Sequence, residues 1–93
     1  MAVVGDIYKA LDSFCPFEVH EPWDNVGLLV GEKESEVRRA AVVLDITPDA
    51  VKKAHEAGAQ LIVSHHPVIF HPIKNLGAHD PVYLLAKYGR NAL

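Results

Sequence analysis

Four of the chain's six histidines, His65, His66, His71 and His79, fall within one fifteen-residue window, HHPVIFHPIKNLGAH. Imidazole is the commonest side-chain ligand for transition metals and a frequent acid–base group. The tandem pair His65-His66 is the most informative part of this cluster. His66 precedes Pro67, which biases it toward an extended backbone. Adjacent extended residues point to opposite sides, so a single ion would have difficulty taking both rings. Two ions about 3.5–4 Å apart would each take one, as in two-metal hydrolase sites. Two imidazoles with carboxylates nearby suit zinc, iron, manganese or nickel. On residue types alone a second account stands beside this one, in which one or both histidines only make structural hydrogen bonds or cap the loop.

The elements around the window say where it must sit. Val37–Leu44 contains the continuous apolar run Ala-Ala-Val-Val-Leu, which suits a strand buried on both faces. Thr47-Pro48-Asp49 is a helix start, with a hydroxyl N-cap, proline in the first turn and an early acid. Ala50, Val51, Ala54 and Ala57 mark the buried face of that helix, and Gly58 its C-terminal cap. Gln60–Ser64, with Leu-Ile-Val, is a second buried strand. Strand, helix and strand with tight connections make a βαβ unit, so the two strands are parallel. Asp80-Pro81 starts another helix that runs through Val82, Leu85, Ala86 and Tyr88 to Gly89. At Asn91–Leu93 a third strand is beginning.

Upstream, Val4, Ile7, Tyr8, Leu11 and Phe14 are spaced as one helical face, stopped by Pro16. Residues 15–27 read as a loop, and Leu28-Leu29-Val30 as a short strand bounded by Gly31. The class is α/β, a mostly parallel sheet with flanking helices. The histidine window therefore leaves the carboxyl end of a parallel strand, the edge at which open α/β sheets bind ligands. Asp45 ends the neighbouring strand and should lie beside His65-His66.

Weaker candidates surround this pair. Lys74 could meet an anionic substrate, although a solvated lysine is the favoured account. His71 and His79 lie in the same loop and could be ligands, but surface or loop-packing roles are favoured, and His20 and His55 are read as ordinary partly exposed histidines. Trp23-Asp24-Asn25 reads as a tryptophan anchor followed by an Asx turn, with a binding surface as the other option. Cys15 is the only cysteine, which excludes an internal disulfide and a Cys-rich zinc module; it is read as a packing residue. Ser64 beside His65 is not a catalytic pair by adjacency, because the side chains diverge. There is no GxSxG elbow, no Gly-rich phosphate loop and no HExxH.

Composition narrows the classes further. At 93 residues the chain is one domain or part of one, and its 49% hydrophobic content suffices for a core. Net charge is −3, with eight acids and two bases in residues 1–36 and four acids against seven bases in residues 37–93. No basic stripe accompanies this imbalance, which argues against nucleic-acid binding. No apolar run approaches the roughly 20 residues of a membrane span, and the N-terminus lacks a leader pattern, so a cytoplasmic, reducing setting is expected.

Taken together, WDNVGLLVG (23–31), LDITPDAVKKAHEAGAQLIVSHHPVIFHPIK (44–74) and the Asp80-Pro81 helix start resemble the Ngg-interacting-factor (Nif) family, whose members are often named GTP cyclohydrolase type 2-like proteins. The resemblance runs from the first helix to the last residue. It implies an α/β protein with a dinuclear metal site, two divalent ions per full-length chain, and a ring-like, often hexameric, homo-oligomer. The positions matching His65 and His66 are metal ligands in that family, and Asp45 matches a site-lining position in its LDxT motif. The family's further ligands, an aspartate after a later strand and a late His/Glu pair, have no counterpart here. Residues 1–93 are accordingly expected to be the N-terminal part of a single larger Nif-like domain, cut at the C-terminus. A catalytic zinc ion takes three protein ligands, so this part alone is expected to hold metal incompletely and to be inactive.

Two functions follow from the resemblance. One is a metal-dependent hydrolase acting on a small molecule, a nucleotide among the options, through a metal-activated water. The other is a non-catalytic metal-binding or regulatory protein-interaction protein. Nothing in the residues themselves supports guanine recognition.

Overall fold

The computed structural model describes residues 2–16, 25–69 and 73–93. Its elements in chain order are α1 (Val4–Phe14), β1 (Ala40–Val43), α2 (Pro48–Glu56), β2 (Leu61–Ser64), α3 (Pro81–Lys87) and β3 (Asn91–Ala92). The strands form one sheet in the order β1-β2-β3, both pairings parallel. Ala40 lies opposite Leu61 and Val43 opposite Ser64, while Leu61 and Ile62 pair with Asn91 and Ala92. This is the α/β class expected, with the third strand beginning at Asn91.

Two successive crossovers of the same hand, running in the same direction across a sheet, place their helices on the same face. Accordingly Val51 and Ala54 of α2 and Leu84 and Leu85 of α3 share one core with Ile62 and Ala92. Helix α1 covers the opposite face, where Val4, Ile7, Tyr8 and Leu11 pack with Leu61, Val63 and Leu93. Central strand β2 is thus sealed on both sides, and its neighbours Leu61 and Ile62 are both fully buried.

Strand β1 departs from expectation. It spans Ala40–Val43 within the longer run, and it is an edge strand, not one buried on both faces. Val42 pairs with Val63 and so shares the α1 face, but among the described residues no side chain of β1 joins the cluster in which α1 packs. Val42 is 80% exposed and Leu44 62%. The apolar run of a central strand and that of an edge strand look the same in sequence; the position of the covering helix separates them.

Residues 28–30 likewise form no strand. Val30 makes a single antiparallel bridge to Ala92, with Ala92 N–H donating to Val30 O at 2.9 Å and Leu29 N–H to Ala92 O at 3.1 Å. Gly31 then turns away at φ 107°, pressed against the buried Asn91 side chain. Asn91 Oδ1 accepts from Glu32 N at 3.0 Å and its Nδ2 donates to Gln60 O at 2.9 Å, so this one amide joins the 31–32 turn to β2.

The helix boundaries follow their local chemistry. Thr47 Oγ1 accepts from Ala50 N at 3.1 Å, and Asp80 Oδ1 from Val82 N at 2.8 Å, each with proline in the first turn. Helix α2 closes at Gly58, φ 79°, with Gly58 N–H on His55 O and Ala59 N–H on Ala54 O, the paired bonds of a Schellman cap. Helix α3 ends in the same pattern through Gly89 and Arg90. Helix faces were less legible. Phe14 is 79% exposed at the C-terminal end of α1, Cys15 after it is exposed, and α3 buries Leu84 with Leu85 while Ala86 faces solvent. Half-buried His55 stacks on Tyr88 at 4.2 Å and accepts from Arg90 Nη2 through Nδ1 at 2.8 Å, tying α2 to the α3–β3 connection.

Candidate functional site

Parallel strands end on the same edge, so the carboxyl ends of β1 and β2 lie side by side. The ladder continues one step past each strand, with His65 N–H donating to Val43 O at 3.2 Å and His66 N–H to Leu44 O at 3.0 Å. This brings Asp45 and His66, twenty-one positions apart, into contact, with Oδ1 2.7 Å from Nδ1. An ionised carboxylate only accepts, so Nδ1 is the donor, and in a neutral imidazole Nε2 is then the nitrogen that offers a lone pair. A carboxylate behind one imidazole nitrogen, with the other left open, is the arrangement that orients metal-binding histidines.

The two imidazoles do not point to opposite sides. Their ring centroids are 4.8 Å apart and their planes tilted by 57°. The backbone bends at His65 and His66 instead of staying extended, which swings both rings to one side of the strand end. The geometric reason for preferring two ions over one therefore falls away: rings this close serve one shared ion or two neighbouring ions equally well. Two side-chain hydrogen bonds not foreseen in the sequence are made at this turn and just after it. Ser64 Oγ donates to His66 O at 2.7 Å, and Asn25 Nδ2 donates to Ile69 O at 2.6 Å. The serine carried a readable signal, a hydroxyl at the start of a tight turn. The asparagine, forty-four positions away from its acceptor, carried none.

The site is open to solvent, with the side chains of His66 and Asp45 each 58% exposed. Lys74 and His79 are exposed on the segment leading to α3, and Lys74 forms no ion pair among the described residues. His71, His20, Trp23 and Asp24 lie outside the described residues. Among the described residues no group of three or more His, Cys, Asp or Glu is gathered closely enough to hold a metal ion. The donor set suits a divalent metal in kind, with two imidazoles of which one is oriented by a carboxylate, but supplies only part of a coordination shell.

Residues 2–89 match the family described as Duf34/NIF3 (NGG1p interacting factor 3). The chain belongs to this family. Among NIF3-family relatives, a Staphylococcus aureus (strain COL) protein named GTP cyclohydrolase 1 type 2 homolog is 42% identical over 84 residues, covering 90% of this chain and 23% of the relative. A Campylobacter jejuni protein of the same name is 40% identical over 80 residues, covering 86% of this chain and 32% of the relative. The crystal structure of Staphylococcus aureus protein SA1388 superposes with a TM-score of 0.93 at 36% identity, over 98% of this chain and 27% of that one. The chain thus spans less than a third of the length of these relatives. Among the described residues no helix is long and apolar enough to cross a membrane.

Proposed function

We propose that this NIF3-family chain contributes His65 and His66 to a divalent-metal site of a hydrolase-like protein acting on a small molecule. The observation that carries the reading is the Asp45–His66 contact at 2.7 Å, which fixes one ring nitrogen and leaves the other open at the ligand-binding edge of the sheet. His65 and His66 would hold the metal, and Asp45 would orient His66 from behind. A bound divalent ion of this kind supplies Lewis-acid polarisation and a water nucleophile at neutral pH. Lys74 stands on the loop beyond the pair as the cation nearest in sequence for an anionic group.

The name GTP cyclohydrolase 1 type 2 homolog, borne by the relatives, supports a nucleotide as the substrate class to test first. The dinuclear character, the homo-oligomer and the cytoplasmic setting belong to the same proposal, and they rest on the family resemblance. The metals to try are zinc, iron, manganese and nickel. The deciding experiment reconstitutes the protein with each metal and assays hydrolysis of nucleotides and phosphoesters. Turnover that disappears in His65→Ala and in His66→Ala supports the reading, and turnover that persists in both removes it. Stoichiometric metal without turnover across the panel favours the second reading, a metal-dependent interaction protein. The family description as an interacting factor and the open, 58% exposed site support that alternative.

A further inference from the structure

Neighbouring residues on an extended strand send their side chains to opposite faces, yet the rings of His65 and His66 lie 4.8 Å apart. Something must hold the backbone out of the extended form over these two residues. Among the described residues, main-chain bonds fix the amide side of the turn, through His65 N–H on Val43 O and His66 N–H on Leu44 O. The carbonyl side shows no such ladder among those residues, and Pro67 brings no N–H to continue one. Two side chains fill that role. Ser64 Oγ reaches forward two residues to His66 O at 2.7 Å, and Asn25 Nδ2 holds Ile69 O at 2.6 Å.

We propose that Ser64 and Asn25 are positioning residues that clamp the carbonyl side of the histidine turn and so keep the two imidazoles side by side. Ser64 is anchored for the task, its own amide donating to Leu93 O at 3.1 Å across the sheet. A serine hydroxyl is short enough to close this two-residue span; alanine has no donor, whereas threonine keeps it. Asn25, read in the sequence as part of a turn, thereby reaches the loop that follows the histidines. Neither residue touches the open nitrogen of His66, so both act through the shape of the turn.

The consequence for metal rests on the reading of the preceding section. A ligand pair that is competent only part of the time binds with an affinity reduced by that fraction. Groups that orient metal ligands in this way are worth about 10–100-fold in affinity.

The test uses the 93-residue chain and four variants: Ser64→Ala, Ser64→Thr, Asn25→Asp, which keeps the size but removes the N–H donor, and His66→Ala as a control. In the metal-free chain the nuclear Overhauser contact between the two imidazole rings is measured. Zinc and cobalt affinities follow by titration, and a melting curve confirms that each variant is folded. The inter-ring contact should be present in the unsubstituted chain, weakened in Ser64→Ala and Asn25→Asp, and restored in Ser64→Thr. Metal affinity should fall about tenfold or more in the same two variants and recover with threonine. An inter-ring contact unchanged in both Ser64→Ala and Asn25→Asp overturns the proposal, whatever the metal result. Where His66→Ala does lower zinc affinity, affinities of Ser64→Ala and Asn25→Asp within twofold of the unsubstituted chain overturn it equally. An unsubstituted chain whose zinc affinity equals that of His66→Ala removes the metal reading instead, and the inter-ring contact then decides the clamp by itself.

Discussion

Asp45 accepts the Nδ1 proton of His66 at 2.7 Å across the ends of two adjacent parallel strands, although both side chains are 58% exposed. Exposed pairs of this kind contribute little to stability, generally under about 1 kcal/mol. Orientation of a ligand, by contrast, is worth about 10–100-fold in metal affinity. Asp45→Ala should therefore leave the melting temperature nearly unchanged while lowering zinc affinity at least about tenfold. Calorimetric titration beside a thermal melt separates the two effects. A large stability loss with unchanged affinity would make Asp45 a structural residue only.

Gly31 tests the other fixed point of the fold. A β-carbon there would stand 1.9 Å from Asn91 Oδ1 and 2.6 Å from its Cγ, on a backbone at φ 107°. Asn91 is only 3% exposed and cannot retreat without giving up its bonds to Glu32 N and Gln60 O. Strain together with a broken buried hydrogen bond predicts that Gly31→Ala costs about 2–5 kcal/mol. Adding Asn91→Ala should remove the contacts with Oδ1 and Cγ but leave the Cβ of position 91 at 2.9 Å and the backbone strain, so the double variant should be less unstable than the two single losses summed. Denaturant unfolding of the four species in this cycle measures that coupling.

Local chemistry made the helix limits and the third strand readable. Thr47-Pro48, Asp80-Pro81 and Gly58 each act within a few residues, and a βαβ unit allows essentially one handedness. The meeting of Asp45 with the histidine pair was readable for the same reason, since parallel neighbours end together. Features set by distant partners were not readable. Whether Val42 is covered depends on how far α1 extends across the sheet, and Val30 bridges a residue sixty-two positions later instead of opening a strand. The direction of the two imidazoles was misjudged because Ser64 Oγ and Asn25 Nδ2 bend the chain just where an unconstrained pair would stay extended.

The contrast between central and edge strands carries its own prediction. Leu61 is fully buried beneath α1, whereas Val42, on the same face of the adjoining strand, is 80% exposed. Leu61→Ala should cost about 2–5 kcal/mol through lost burial and the cavity left behind. Val42→Lys should alter stability by no more than about 0.5 kcal/mol. It should also reduce self-association, because a charge on an edge strand discourages pairing with another sheet. Denaturant midpoints and sedimentation at several concentrations check both effects. A severe stability loss in Val42→Lys would show that β1 is covered in solution.

Coordination arithmetic sets the remaining expectation. A catalytic zinc ion takes three protein ligands and keeps one open position. The described residues bring two imidazoles and a carboxylate already engaged with one of them, and no group of three donors. On its own, then, the 93-residue chain should bind at most one zinc ion, and weakly enough to lose it to a moderate chelator. His65→Ala and His66→Ala should each lower that affinity by at least about tenfold, since removing a ligand costs no less than misorienting one. Metal analysis after gel filtration in the presence and absence of chelator reads this directly. Two ions retained per chain would mean that further ligands complete the shell, and His71, outside the described residues, would be the first position to substitute.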